Sequence, residues 1–307
     1  MPFEPVKLND GNEMPTIAFG TGSKWKGQDV TDYVSEAIEA GFSHIDTAQY
    51  YRNEDSVGAA IRQTGLDRSQ LFVTTKWSGL TSIRDAIEGS LTQLDLKQVD
   101  LYLIHNPIFI KDLEKDWKEF ERIKEDGLSR SIGVSNFNVQ LLRSLVKKAH
   151  IKPAVNQILL HPYNYADNKE LLEYCAEQGI VVEAYSSLTP ITRYPGGPVD
   201  KALQGPAKRL GASPVQIILS WVKAKGVVIV TTSSTREHME KYLAVGDLPD
   251  LTDEEIAAID AAGAVGPPSS RPWSSSDILC VSLLLFQVVC LLILLYNLGW
   301  MHLPFFE

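Results

Sequence analysis

Short apolar, β-branched runs alternate with longer segments of helical period along most of the chain, and this alternation restricts the fold more than any other feature. The runs are TIAFG at 16–20, SHIDT at 43–47, LFVTTK at 71–76, VDLYLIH at 99–105, RSIGVS at 130–135, AVNQI at 154–158, IVVEAYS at 180–186 and VVIVTTS at 227–233. Between them lie amphipathic stretches such as DVTDYVSEAIEAG, apolar at Val30, Val34, Ala37 and Ile38, and DWKEFERIKEDG, closed by Gly127. A sandwich or a helical bundle lacks this rhythm. Eight βα units over about 250 residues are the size of one (β/α)8 TIM barrel, an α/β fold expected here over residues 1–263. The opening VKLNDGNEMP, with its Asp-Gly turn signal, predicts a hairpin outside the barrel.

In such a barrel the active site lies where the carboxyl ends of the strands open into βα loops. Polar and ionisable groups gather at those ends: Asp46 and Tyr51, Lys76, His105, Ser135 and Asn136, Asn156 and Gln157, Tyr185 and Ser186, and Thr231 to Ser234. The stretch SHIDTAQYY at 43–51 is the clearest case, since a strand that only fills a core does not deliver an Asp, a Gln and two Tyr into one loop. Each residue alone has a structural reading. Asp46 and Lys76 can form a buried ion pair, His105 and His161 can be core histidines, Tyr185 can be packing, and Ser135–Asn136 can cap the following helix. Four ionisable groups at strand ends of one barrel argue for a site instead.

Charge and cysteine content narrow the function class. The net charge of −9 comes from 38 acidic and 29 basic residues mixed along the chain, so no basic patch offers itself to a nucleic acid. Cys175, Cys280 and Cys290 have no CxxC spacing, and the polar start MPFEPVKLND is no signal peptide. A disulfide framework and a metal site are therefore not expected, and a reducing cytoplasm suits the barrel. Cys175, within ELLEYCAEQG, reads as apolar filler.

Taken together, GFSHIDTAQYYRNEDSVGAAI, FVTTKW, LYLIHNP, SIGVSNF, AVNQILLHPY and VVEAYSSL resemble the successive motifs of the aldo-keto reductases in order and spacing, over roughly residues 8–263. The resemblance implies a monomeric barrel that binds a nicotinamide cofactor without a Rossmann fold, and no GxGxxG follows a strand here. It also implies reduction of a small-molecule carbonyl, with Tyr51 as general acid, Lys76 as the cation that favours the Tyr51 anion, Asp46 as the charge partner of Lys76, and His105 orienting the carbonyl or relaying the proton.

Ser135, Asn136 and Gln157 match the family positions that hold the nicotinamide carboxamide. Tyr185 matches the ring that stacks on the nicotinamide, and Ser186 and Leu188 fall near the pyrophosphate. At VVIVTTSSTREHMEKY the chain departs from the family's Pro-Lys-Ser run and following Arg, and is similar to microbial, including fungal, members. Thr231, Thr232, Ser233, Arg236 and Lys241 remain to meet a 2′-phosphate, so the family implies NADPH while NADH stays open. Trp25, Trp77 and Asn106 lie on loops that the family uses for substrate, beside His105. The HNP triplet replaces the commoner His-Trp-Pro, and the loop before Trp117 is short, which together imply a wider, open pocket. A rival expectation from another class is a cofactor-binding regulatory module, as in the potassium channel β-subunits; survival of the Asp, Tyr, Lys and His set favours the enzyme.

After LTDEEIAAIDAAG the composition changes. A Pro/Ser-rich linker over 264–277 leads to the uncharged ILCVSLLLFQVVCLLILLYNL at 278–298, with only a short tail, 299–307, beyond. Twenty-one residues at about 1.5 Å each span a ~30 Å hydrocarbon core, so this segment reads as a transmembrane helix that anchors a cytoplasmic barrel by its tail. The other reading is a read-through C-terminus in place of the family's last loop.

Overall fold

Two strands precede the barrel. In the computed structural model, which describes residues 3–22 and 25–268, β1 (Val6–Lys7) pairs antiparallel with β2 (Glu13–Met14), Val6 opposite Met14. The intervening turn has Gly11 at φ 88°, a conformation that glycine adopts without steric cost. The expected hairpin is therefore present.

The chain then builds eight parallel strands: β3 (Ile17–Gly20), β4 (His44–Asp46), β5 (Phe72–Trp77), β6 (Val99–Ile104), β7 (Ser129–Ser135), β8 (Val155–Leu159), β9 (Val181–Tyr185) and β10 (Val228–Thr231). Each pairs with its neighbours in sequence, and β10 pairs with β3 to close the barrel. Every expected strand forms within two residues of its predicted ends.

The intervening helices are α1 (Thr31–Ala40), α2 (Glu54–Thr64), α3 (Ile83–Leu94), α4 (Leu113–Glu125), α5 (Val139–Lys148), α6 (Tyr165–Gln178), the single turn α7 (Thr189–Thr192), α8 (Pro198–Leu210) and α9 (Pro214–Ala224). α10 (Arg236–Leu243) and α11 (Asp253–Ala264) follow β10. Their apolar faces are the ones their periodicity predicts: α1 buries Val34, Ala37 and Ile38, and α4 buries Trp117, Phe120 and Ile123. Asp112 caps α4 by accepting from the Glu114 and Lys115 amides, and Gly127 at φ 73° turns the chain after it. One departure from simple βα alternation lies between β9 and β10. There Gly211 ends α8 and the Ser213–Gln216 capping box, with Pro214 at the first turn, starts α9.

Two cores result. Most apolar residues fill the layer between strands and helices. Inside the barrel, Leu8 and Met14 of the hairpin join Phe72, Leu101, Leu103, Val155 and Val228 to plug its amino end. Polar ties fix the plug, with Asn9 Nδ2 donating to the Pro153 carbonyl at 2.9 Å and Asn12 Nδ2 to Ser131 Oγ at 2.9 Å. Above it the interior turns polar: His44, Asp46, Thr74, Lys76, Gln157 and Glu183 are all buried. Alternation along β4, β5, β8 and β9 aims them inward.

The linker expected over 264–277 falls outside the described residues from 269 onward, as do the expected membrane segment 278–298 and the tail 299–307. Among the described residues no helix is long and apolar enough to cross a membrane.

Met14 has no exposed surface, so Met14→Ala should destabilise the barrel by about 2–5 kcal/mol in urea unfolding. The polar interior gives a second expectation. Burial pushes the His44 pKa down to about 4, against ~6.5 unfolded, so the unfolded state binds the extra proton and His44 costs stability as pH falls from 6.5 to 4. Burial and then the Asp46 charge push Glu183 up to about 7, against ~4.3 unfolded, so its contribution is lost as pH rises through 7. Their slopes oppose. At pH 5.5, His44→Gln should make stability fall with rising pH by nearly one proton's worth more than wild type, about 1.4 kcal/mol per pH unit, and Glu183→Gln should change the slope the opposite way. Unfolding free energies at pH 5, 5.5 and 6 check both signs.

Candidate active site

Strand β4 ends on Asp46, and β5 carries Lys76 alongside it. Lys76 Nζ donates to Asp46 Oδ1 at 2.6 Å and to the Thr47 carbonyl at 2.9 Å, with Lys76 wholly out of solvent. After β4 a 3-10 turn, Gln49–Tyr51, raises Tyr51 over this ammonium, whose nitrogen lies 5.2 Å from the ring centroid. Gly22 makes room for the phenol: a Cβ there would stand 2.2 Å from Tyr51 Cζ. Asn53 ties the neighbouring loops by donating to the carbonyls of Thr21 and Trp25. His105 follows β6, its ring 5.4 Å from that of Tyr51 at 85°, and its Nδ1 lies 2.9 Å from Ser78 Oγ. The four residues expected to act together are thus adjacent.

Their charge states follow from burial. Burial lowers the Lys76 pKa, but the Asp46 and Tyr51 charges outweigh it, so the pKa rises and the amine stays protonated. Burial raises the Tyr51 pKa and the Lys76 charge works against that rise; the balance stays above the usual phenol value, leaving Tyr51 with its proton at neutral pH. Burial, with Lys76 next, pushes His105 down to about 3, so its ring is neutral.

A cleft of about 850 Å³ opens above these residues. Ser135, Asn136, Gln157 and Tyr185 border it from strand ends, and Ser186, Leu188, Thr231 and Thr232 border it further out. Asn136 and Ser186 both hold left-handed backbone, at φ 63° and 58°, a strain that concentrates at working sites. Asn136 Nδ2 donates to the His105 carbonyl and to Ser135 Oγ, each at 3.0 Å, while its Oδ1 accepts the Tyr185 hydroxyl at 2.8 Å. Gln157 Nε2 donates to Asp46 Oδ2 at 2.8 Å and Glu183 Oε2 at 2.9 Å. Thr232 Oγ1 is buried at the cleft wall without a partner among the described residues. Two amide groups, a flanking aromatic ring and a buried hydroxyl thus line one trough, polar groups set along a concave site.

Other expected residues lie elsewhere. Ser233 bonds the Thr235 backbone at the start of α10. Arg236 pairs with Glu240 at 2.9 Å and Glu39 at 3.4 Å, and Lys241 pairs with Glu237 at 2.6 Å. None of the three borders the cleft. Trp25 is buried against Tyr33, ring centroids 4.7 Å apart, and Trp77 donates its Nε1 to the Thr81 carbonyl; neither borders the cleft, whereas Asn106 does. Sequence reasoning did not single out Ser78, Glu183, Lys26 or Arg193, of which the last two border the cleft, as does Tyr50, the neighbour of Tyr51 in SHIDTAQYY and the alternative to it. Lys26 Nζ stands over the Tyr50 ring at 4.7 Å. Only Glu183 had a signal, a carboxylate inside the apolar run VVEAY.

Comparison with known proteins agrees with this architecture. The chain is 37% identical over 268 residues to the NAD/NADP-dependent indole-3-acetaldehyde reductase of Schizosaccharomyces pombe, covering 83% of this chain and 93% of that protein. It is 39% identical over 273 residues to the glyoxal reductase of Bacillus subtilis, covering 86% and 95%. The crystal structure of a Bombyx mori aldo-keto reductase in complex with NADP superposes with a TM-score of 0.78 at 34% identity, covering 85% of this chain and 92% of that one. The model of the aldo/keto reductase family matches residues 16–264, and with these likenesses it establishes that the chain belongs to that family.

Proposed function

We propose that this aldo-keto reductase converts an aldehyde or ketone to its alcohol with NADPH as reductant and Tyr51 as proton donor. The observation that carries the reading is the sealed Lys76 ammonium, held by Asp46 beneath a protonated Tyr51 at the floor of the cleft. NADPH, when bound, supplies hydride to the carbonyl carbon. Tyr51 breaks its O–H bond and gives the proton to the carbonyl oxygen, so the alcohol gains both atoms and the phenolate remains on the protein. Lys76 stabilises that phenolate, which offsets the burial that otherwise holds the proton on. Asp46 keeps the ammonium in place. His105 is neutral and, with Nδ1 engaged by Ser78, offers Nε2 to the substrate oxygen as an orienting group rather than as an acid.

Ser135, Asn136 and Gln157 would hold the carboxamide, and the Tyr185 ring would cover the nicotinamide face. Ser186, Leu188, Thr231 and Thr232 would border the rest of the cofactor. The substrate wall would be built from Tyr50, Asn106 and Phe109 with Lys26, and the relatives named for indole-3-acetaldehyde and glyoxal reduction support a small carbonyl substrate. One observation favours use of NADH as well: both cations expected near a 2′-phosphate, Arg236 and Lys241, already have carboxylate partners. The proposal concerns the barrel; the separate reading of 278–298 as a membrane anchor has only its sequence in support.

Tyr51→Phe should lower kcat for NADPH-dependent reduction of a reactive aromatic aldehyde by about 10²–10⁴ while leaving the Kd for NADPH nearly unchanged. Unchanged kcat would remove Tyr51 from the mechanism. The ratio of kcat/KM for NADPH and NADH in the wild type settles the cofactor separately.

A further inference from the structure

Glu183 stands wholly out of solvent on β9, inside the barrel, where an apolar side chain would cost far less. Among the described residues no Lys or Arg pairs with it, since Lys76 is committed to Asp46, and the basic group beside it is His44, with Nε2 3.9 Å from Glu183 Oε1. His44 Nε2 lies much closer to Thr74 Oγ1, at 2.9 Å, and Glu183 Oε1 has no hydrogen-bond partner. Among the described residues, the one hydrogen bond that the Glu183 carboxylate accepts is from Gln157, through Oε2 at 2.9 Å.

That bond decides which way the Gln157 amide faces. Gln157 borders the cleft and Glu183 does not. Asp46 Oδ2 and Glu183 Oε2 together take up both hydrogens of the Gln157 amino group. Above pH 7, where Glu183 is ionised, an amide oxygen in that place would face two carboxylates, so only the nitrogen fits there. Gln157 Oε1, which takes no hydrogen bond among the described residues, is the group left for a ligand. With Asp46 alone, the amide would keep one unbound N–H and could turn it toward the cleft.

We infer that Glu183 is a positioning residue that locks the Gln157 amide with its oxygen toward the cofactor, so that the site selects a nicotinamide side chain bearing an NH2 donor. The inference rests on Gln157 meeting the carboxamide. Glu183 acts only through Gln157, and its role is orientation, so its loss should be felt by one ligand group and not by the rest of the cofactor.

Two cofactors separate this role from a general structural one. NADP+ carries the carboxamide; its 3-acetylpyridine analogue keeps the carbonyl and loses the NH2. Their dissociation constants are measured at pH 8 by quenching of tryptophan fluorescence, with thermal unfolding followed alongside. In the wild type the analogue should bind about three- to tenfold more weakly, the worth of one hydrogen bond. Glu183→Met should bring this ratio close to one by weakening NADP+ and sparing the analogue. Glu183→Gln, whose amide oxygen can still accept from Gln157, should restore most of it. Glu183→Val replaces the Met variant should that one fail to fold. An unchanged ratio in Glu183→Met, whether both affinities fall together or neither moves, would overturn the role of Glu183. A wild-type ratio of one would instead overturn the contact between Gln157 and the carboxamide, and the inference with it.

Discussion

The ammonium of Lys76, sealed inside the barrel and bound to Asp46, is the constraint that the upper half of the interior answers to. A lone charge there would cost many kcal/mol, and the ion pair recovers this only because Asp46 and the Thr47 carbonyl both accept from the same nitrogen. The other oxygen of Asp46 then takes Gln157, whose second amide hydrogen goes to Glu183. One connected set of hydrogen bonds therefore runs from beneath Tyr51 to an amide that borders the cleft. Glu183 Oε1 is left without a partner among the described residues, a cost that a buried polar network bears where it is only partly satisfied, and the layer sits above the apolar plug at the amino end of the barrel.

The same constraint accounts for the shape of the cleft. Tyr51 must lie over the ammonium, and only the missing Cβ of Gly22 lets it do so. Asn136 and Ser186 turn sharply through left-handed backbone at the ends of β7 and β9, which brings polar groups to the rim while the strands stay regular. Strain of this kind, about 1 kcal/mol at a non-glycine residue, persists because neighbouring strands and hydrogen bonds over-determine it.

Much of this was legible in the sequence because the relevant signals are periodic. A strand's alternation and a helix's apolar stripe repeat over many residues, so all eight barrel strands appeared where expected, and most of the residues named at their carboxyl ends reached one cleft. Loops carry no such period. Trp25 sits on such a segment and turned into a packed aromatic cluster rather than toward the cleft, whereas Trp77 is the last residue of β5, where alternation with the inward Lys76 sends it out against Phe120. Arg236 and Lys241 were expected to await a phosphate, yet the helix containing them places Glu240 and Glu237 at the four-residue spacing that forms ion pairs. That spacing was readable in REHMEK. Glu183 was readable only as an oddity, a carboxylate in an apolar strand, because its partner Gln157 lies 26 residues away.

The account makes Tyr51, not His105, the source of the proton, and the two titrate at opposite ends of the pH scale. The most direct measurement is the single-turnover rate of carbonyl reduction from pH 5 to pH 11 in the wild type and in His105→Gln. The account predicts a rate level through neutrality and falling only in the alkaline range, as Tyr51 loses its proton, with the same alkaline limb at reduced amplitude in His105→Gln. A wild-type rate that already falls between pH 6 and 7, by a limb that disappears in His105→Gln, would make the imidazolium the acid and contradict it.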